Sequence, residues 1–149
     1  MERQDRKKQE EVLAEVYRNA QLALQSISDL LPQVDDFKTR NELKAQHEEY
    51  ERFSAAAAKL AKDRNIELKE PNPIKKAMMW GSIKMSTLTD NSRSHIADMM
   101  IQGTVMGITA LRTSLADAYP SEEKDEIFDL VQEMIKREEE FEKRWKEFL

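Results

Sequence analysis

The chain has 149 residues, a formal net charge of −5 and no cysteine, and its charged residues of both signs are interspersed along its length. It is long enough to bury one core, and its acidic surface argues against nucleic acid or an anionic membrane as a partner. The missing cysteines exclude disulfides and thiolate chemistry, and without a signal-like or membrane-spanning segment we expect one cytoplasmic domain over 1–149.

Apolar residues in the first half of the chain recur every three or four positions, which lays one stripe along a helix. The first helix is predicted over about 3–31 and ends at Pro32. Its stripe is Leu13, Tyr17, Ala20, Leu24, Ile27 and Leu31. The second is predicted over about 36–64, with Asp35 or Asp36 as its N-cap. Its stripe is Leu43, His47, Tyr50, Ser54, Ala57 and Ala61, with Phe53 and Leu60 beside it.

The second half of the chain predicts three further helices. A longer link precedes a shorter helix over about 73–88, and Thr89 to Ser92 indicate a break before a long helix over about 91–119. The last helix is predicted over about 121–148 with Ser121 as its N-cap. Its stripe is Ile127, Val131, Met134, Glu138, Phe141, Trp145 and Phe148. The pattern predicts an all-α, antiparallel four-helix bundle with an extra shorter helix before the third long one.

Polar residues at inward positions are the first candidates for a site, because bundles place ligand and metal sites between facing helices. Two imidazoles and nearby carboxylates are suitable ligands for Fe, Mn or Zn. The candidate ligands are His47, His95, Asp98, Glu138 and Glu142. The Glu-x-x-His spacing of carboxylate metal sites is not present at either histidine.

A purely structural interpretation of these polar residues stays open. His47 would be a hydrogen-bonded residue in or at the boundary of the core, and His95 would belong to the cap that follows Asp90. Glu138 would lie at the solvated end of its helix.

Six of the eight methionines lie between Met78 and Met106, and residues 99–108 are apolar on almost every side of their helix. Such a helix needs cover on every side, either from the shorter helix or from a second subunit, although a methionine-rich core is the alternative. The predicted interface residues are Met78, Met79, Trp80, Met85, Met99, Met100 and Met106. Gly103 and Gly107 lie one turn apart, which favours close approach of another helix.

The order of these helices, with Trp80 in the shorter one and small residues in the long one after it, resembles small bacterial ferritin-like proteins of unknown function. The resemblance covers nearly the whole chain, and residues 87–107 are its most specific part. It implies a four-helix bundle, often with a long connection between the second and third helices and often with a di-iron site. Here Gln102 and Gly103 stand where acidic residues would be expected.

The leading hypothesis for function is a non-enzymatic bundle that acts by association, as a homo-oligomer through residues 78–106 and without a cofactor. One alternative is a metal-binding protein with an unusual site built from His47, His95 and Glu138, with Asp98 or Glu142. The other is a carrier that holds an apolar ligand in a methionine-lined pocket.

Overall fold

The computed structural model describes residues 3–72, 85, 87, 90–121 and 123–149. Within these residues there is no strand, and the four long helices are α1 (Arg3–Leu30), α2 (Phe37–Asp63), α3 (Arg93–Ala118) and α4 (Glu126–Lys146). A short 3-10 turn, Leu31–Gln33, follows α1. The prediction of an all-α protein with four long helices is confirmed. The predicted shorter helix over 73–88 lies, apart from Met85 and Thr87, outside the described residues.

The core lies along the inner faces of the four helices. Helix α1 packs against the other three, and α4 packs most extensively against α3. The largest fully buried apolar side chains come from all four helices: Leu13, Ile27, Leu30, Leu43, Tyr50, Phe53, Ile96, Leu111, Ile127, Met134 and Trp145. Burial of these side chains from water is the main contribution to the stability of such a bundle.

The predicted apolar stripes match the core closely in α4 and less closely in α2. Every predicted stripe residue of α4 is buried, from Ile127 to Phe148. In α2, Gln46 is buried, whereas the side chain of the predicted stripe residue His47 is 29% exposed. Positions three and four residues after Leu43 are both compatible with a helical stripe, and packing against α4 selects the first of them.

The starts of α2 and α3 are joined by one charged contact. Asp36 is the N-cap of α2 and accepts the amide of Thr39 at 2.9 Å, as predicted. The Arg93 guanidinium also donates to both carboxylate oxygens of Asp36, at 2.8 and 3.0 Å. Hydrogen bonds from Arg93 and Thr39 hold the pKa of Asp36 well below its usual range. Ser92 caps α3, which confirms a re-capped helix after Asp90.

The start of α4 differs from the prediction. Ser121 was predicted as the N-cap, but α4 begins at Glu126 and its N-cap is Asp125, which accepts the amide of Phe128 at 3.0 Å. Asp125 also accepts the hydroxyl of Tyr119 at 2.6 Å and the guanidinium of Arg64 at 3.1 Å. These contacts favour the later start, and the one with Arg64, 61 residues away, cannot be inferred from spacing along the chain.

Replacing this cap tests the observed boundary. We expect Asp125→Ala to lower the free energy of unfolding by about 1 kcal/mol, because the first turn of α4 loses its side-chain acceptor. Ser121→Ala should change it by less than about 0.5 kcal/mol, since Ser121 is an exposed residue before the helix. Urea unfolding followed by circular dichroism measures both. Equal effects of the two substitutions would contradict the boundary.

Candidate functional site

A buried carboxylate lies where the four helices meet. Glu138 on α4 is only 1% exposed. Its Oε2 accepts the hydroxyl of Tyr50 from α2 at 2.7 Å, and its Oε1 accepts Nδ2 of Asn19 from α1 at 2.9 Å. Helix α3 contributes Gly107, where an added Cβ would lie 3.1 Å from Oε2. We call these four residues the Glu138 cluster.

The Glu138 cluster holds a carboxyl group whose charge is costly. Burial raises the pKa of Glu138 to about 7, although the hydrogen bonds from Tyr50 and Asn19 oppose this. Burial and the adjacent Glu138 raise the pKa of Tyr50 well above its usual value. Neither hydrogen-bond donor to Glu138 is charged, so among the described residues the carboxylate has no cationic hydrogen-bond donor to compensate its burial. The cluster can therefore take up a proton near neutral pH.

The five predicted metal ligands occupy different surroundings. Nδ1 of His47 lies 2.9 Å from Oε1 of its neighbour Glu51, one turn along the surface of α2. The amide of His95 donates to Ser92 Oγ at 3.4 Å in the cap of α3. Asp98 is exposed and accepts Nε2 of Gln102 at 2.9 Å. Glu142 accepts Nζ of Lys146 at 3.4 Å.

The structure does not bring the predicted ligands together. Across the described ranges, no group of three or more histidine, aspartate or glutamate side chains is placed to hold a metal ion. His47 and His95 instead fit the structural interpretation, at the core boundary and in a helix cap respectively. The interpretation of Glu138 as a solvated helix end is wrong, because α4 continues two turns beyond it and Trp145 seals the core there.

The predicted interface methionines divide between the inside and the outside. Met100 is buried and Met99 partly buried, whereas Met106 is 73% exposed. Met85 is also exposed. The predicted Met78, Met79 and Trp80 lie outside the described residues. The helical period explains the division, since Met106 lies about 120° around α3 from the buried Met100.

The outer face of α3 is uncharged over almost four turns. Ile101 is partly buried, Val105 is 41% exposed, and Gln102, Met106 and Thr109 are exposed. We call these five residues the α3 face. The surface is unusual for this chain, in which more than a third of the residues are charged. Exposed apolar residues that cluster on one face indicate an interaction surface more often than single ones do.

The two glycines of α3 do not share the role predicted for them. An added Cβ at Gly103 would meet no atom within 4 Å, so no helix approaches closely there. At Gly107 the Cβ would lie 2.8 Å from Nδ2 of Asn19. Gly107 therefore leaves room for the buried side chains of the Glu138 cluster.

A groove of about 610 Å³ lies between α3 and α4. Its apolar floor is formed by Leu115, Tyr119, Phe128 and Ile135, with charged residues such as Glu139 at the rim. No methionine of the described residues lines it. The groove thus differs in lining and position from the methionine-lined pocket that a carrier of apolar ligands was predicted to use.

Several inward polar residues of the described ranges escaped the sequence prediction. Gln46 is fully buried and accepts the indole N–H of Trp145 at 3.0 Å. Asn19 completes the Glu138 cluster, and Thr104 donates to the carbonyl of Met100 at 2.6 Å. Gln46 could have been found from its spacing, since it lies three residues after Leu43 and four before Tyr50. Asn19 lies off the predicted stripe of α1, so no pattern marks it.

Comparison with known proteins provides no relative for this chain. No protein family matches it, and no curated protein or solved structure does so either. Among the described residues, none of the helices combines the length and apolarity needed to cross a membrane.

Proposed function

We propose that this protein acts by association and that the α3 face is the surface it uses. The observation that carries the proposal is the exposure of Met106 and Val105 within an uncharged part of an otherwise highly charged chain. An exposed methionine gives an adaptable apolar contact, and burying it fully is worth about 1.5–3 kcal/mol. The expected partner is a second copy of the chain, as the composition of residues 78–106 also suggested.

We further propose the antiparallel, ferritin-like arrangement for the bundle, in one domain located in the cytoplasm. Contacts between consecutive helices support the arrangement. Near the turn, Arg40 donates to the carbonyl of Leu31 at 2.5 Å, and farther along both helices Gln21 donates to Ser54 at 2.7 Å. In two antiparallel helices, the residues in contact lie farther apart in sequence the farther they are from the connecting turn.

Met106→Glu tests the proposed association. We expect the substitution to weaken self-association at least tenfold, because it removes an apolar contact and places a charge in the interface. Sedimentation velocity over a micromolar concentration range measures the effect. Phe37→Glu is the matched control, since Phe37 is 77% exposed at the start of α2 and lies outside the α3 face.

Two results would overturn the proposal. One is a wild-type protein that stays monomeric at all concentrations. The other is an oligomer that Met106→Glu and Phe37→Glu leave equally intact, provided that both variants melt at the temperature of the wild type. A monomer would also leave the α3 face without the partner proposed for it.

A further inference from the structure

The charges that border the uncharged part of α3 are placed symmetrically. No charged residue occurs from Met99 to Leu111, and this segment has Val105 at its centre. Asp98 precedes it and Arg112 follows it, each seven residues from Val105. Seven residues are almost two turns, so all three side chains lie near one line along the outer side of α3. Asp98 and Arg112 are both exposed.

From this symmetry we propose that two copies of the chain pair through antiparallel α3 helices about a two-fold axis at Val105. The inference rests on the proposed function, and it specifies the geometry of that association. In such a pair, the numbers of two facing residues add up to 210, which is twice the number of the central Val105. Asp98 of each copy therefore faces Arg112 of the other, and Val105 faces its own counterpart.

The pairing is also compatible with the exposed residues on either side of Val105. Ile101 of one copy lies opposite Thr109 of the other, so no charge faces these uncharged positions. Met106 follows Val105 by about 100° around α3, so it lies at the border of the contact. Asp98 and Arg112 are roughly 21 Å apart along the helix, so one two-fold contact contains two complementary charge pairs. A parallel pairing would instead oppose Asp98 to Asp98 and Arg112 to Arg112, which is repulsive.

The present partners of both charges allow this contact. Arg112 donates to Glu139 at 2.8 Å, and half or more of each of these side chains is exposed. A guanidinium has five N–H donors, so Arg112 can bind Glu139 of its own chain and Asp98 of the second copy together. Asp98 accepts one hydrogen bond from Gln102 through Oδ2 and can accept more.

Charge reversal tests the geometry. We expect Asp98→Arg and Arg112→Glu each to raise the dissociation constant of the dimer about tenfold, because each creates two like-charge contacts. The double variant Asp98→Arg/Arg112→Glu should restore wild-type association, and an equimolar mixture of the two single variants should form heterodimers. Glu139→Gln is the control for loss of the internal ion pair and should leave the dissociation constant unchanged. Sedimentation equilibrium at low ionic strength measures all five.

Cross-linking provides a second readout that does not depend on charge, since the chain has no cysteine of its own. With a short bismaleimide, Asp98→Cys and Arg112→Cys should cross-link in a mixture of the two variants and not in either one alone. Val105→Cys should cross-link with itself, and Phe37→Cys should not.

The outcomes separate the two proposals. If Met106→Glu disrupts association but single charge reversals do not, or the double reversal fails to restore it, the two-fold antiparallel geometry is overturned while association through the α3 face stands. Cross-linking of Asp98→Cys with itself has the same meaning, because it indicates a parallel pair. If Met106→Glu leaves association unchanged, or the wild type is monomeric, the proposed function fails as well.

Discussion

The free energy of unfolding of the wild-type protein should fall by about 3 kcal/mol between pH 4.5 and pH 8.5, and Glu138→Gln should remove that fall. The pKa of Glu138 is raised from 4.5 to about 7 by burial, so between these values the folded state binds a proton that the unfolded state has released. The resulting stability is complete below pH 4.5 and is lost as the pH rises through 7. Glutamine has the same shape and carries no charge at any pH.

Urea titrations at intervals of half a pH unit measure this difference. The variant should retain the bundle, since its amide can still accept from Tyr50 or Asn19 and can donate where the second carboxylate oxygen stood. Glu140→Gln on the same helix is the control, because Glu140 is exposed and pairs only with Arg137 among the described contacts. Its profile should run parallel to that of the wild type. A wild-type profile parallel to that of Glu138→Gln would show that Glu138 is not the group responsible.

Alanine at the two glycines of α3 should change stability in opposite directions. Gly103→Ala should raise the free energy of unfolding by about 0.5–1 kcal/mol, because the new methyl group meets no atom and the unfolded chain loses entropy. Gly107→Ala should lower it by about 1–2 kcal/mol. Its Cβ would lie 2.8 Å from Nδ2 of Asn19, so the hydrogen bond from Asn19 to Glu138 must lengthen or break.

The same substitution should also alter the pH profile. The hydrogen bond from Asn19 lowers the pKa of Glu138, so its loss in Gly107→Ala should move the decline in stability to higher pH. Thermal and urea unfolding at pH 5.5 and pH 8 measure both effects, with Gly103→Ala as the matched control on the same helix. If Gly107→Ala were as stabilising as Gly103→Ala, α3 would not approach the Glu138 cluster as closely as described.

Uncompensated burial of a carboxyl group is unusual, since most buried charges are paired. In this bundle the burial is tolerated because two neutral donors form hydrogen bonds with the carboxylate oxygens. Glu138 can also take up a proton near neutral pH and so lose its charge. The cluster thereby makes the stability of the bundle depend on pH through the buried side chain of Glu138, whereas Met106 of the α3 face is exposed. Substitutions at Glu138 and at Met106 should therefore have separable effects, the first on unfolding and the second on association.

Much of the fold could be predicted from local pattern. Helical spacing of apolar residues placed all four long helices, and the stripe of α4 was right at every position because each of its residues packs on one side only. Capping chemistry limited the N-cap of α2 to Asp35 or Asp36 and indicated a cap within residues 89–92, where the structure has Asp36 and Ser92, since a side chain that accepts an amide three residues away is a local feature. Of the methionines of α3 that were predicted to lie at an interface, Met106 is exposed, whereas Met100 is buried and Met99 is partly buried.

The remaining features depend on contacts between distant parts of the chain. Gln46 faces the core in place of His47 because Trp145, 99 residues later, donates to it. Asp125 caps α4 in place of Ser121 with the support of Arg64, 61 residues earlier, which also binds it. The sequence by itself determined the helices and their apolar sides, since these follow from a 3.6-residue period. Only the tertiary structure decided which polar side chains became buried, because the helix rotations that select them are set by packing among all four helices.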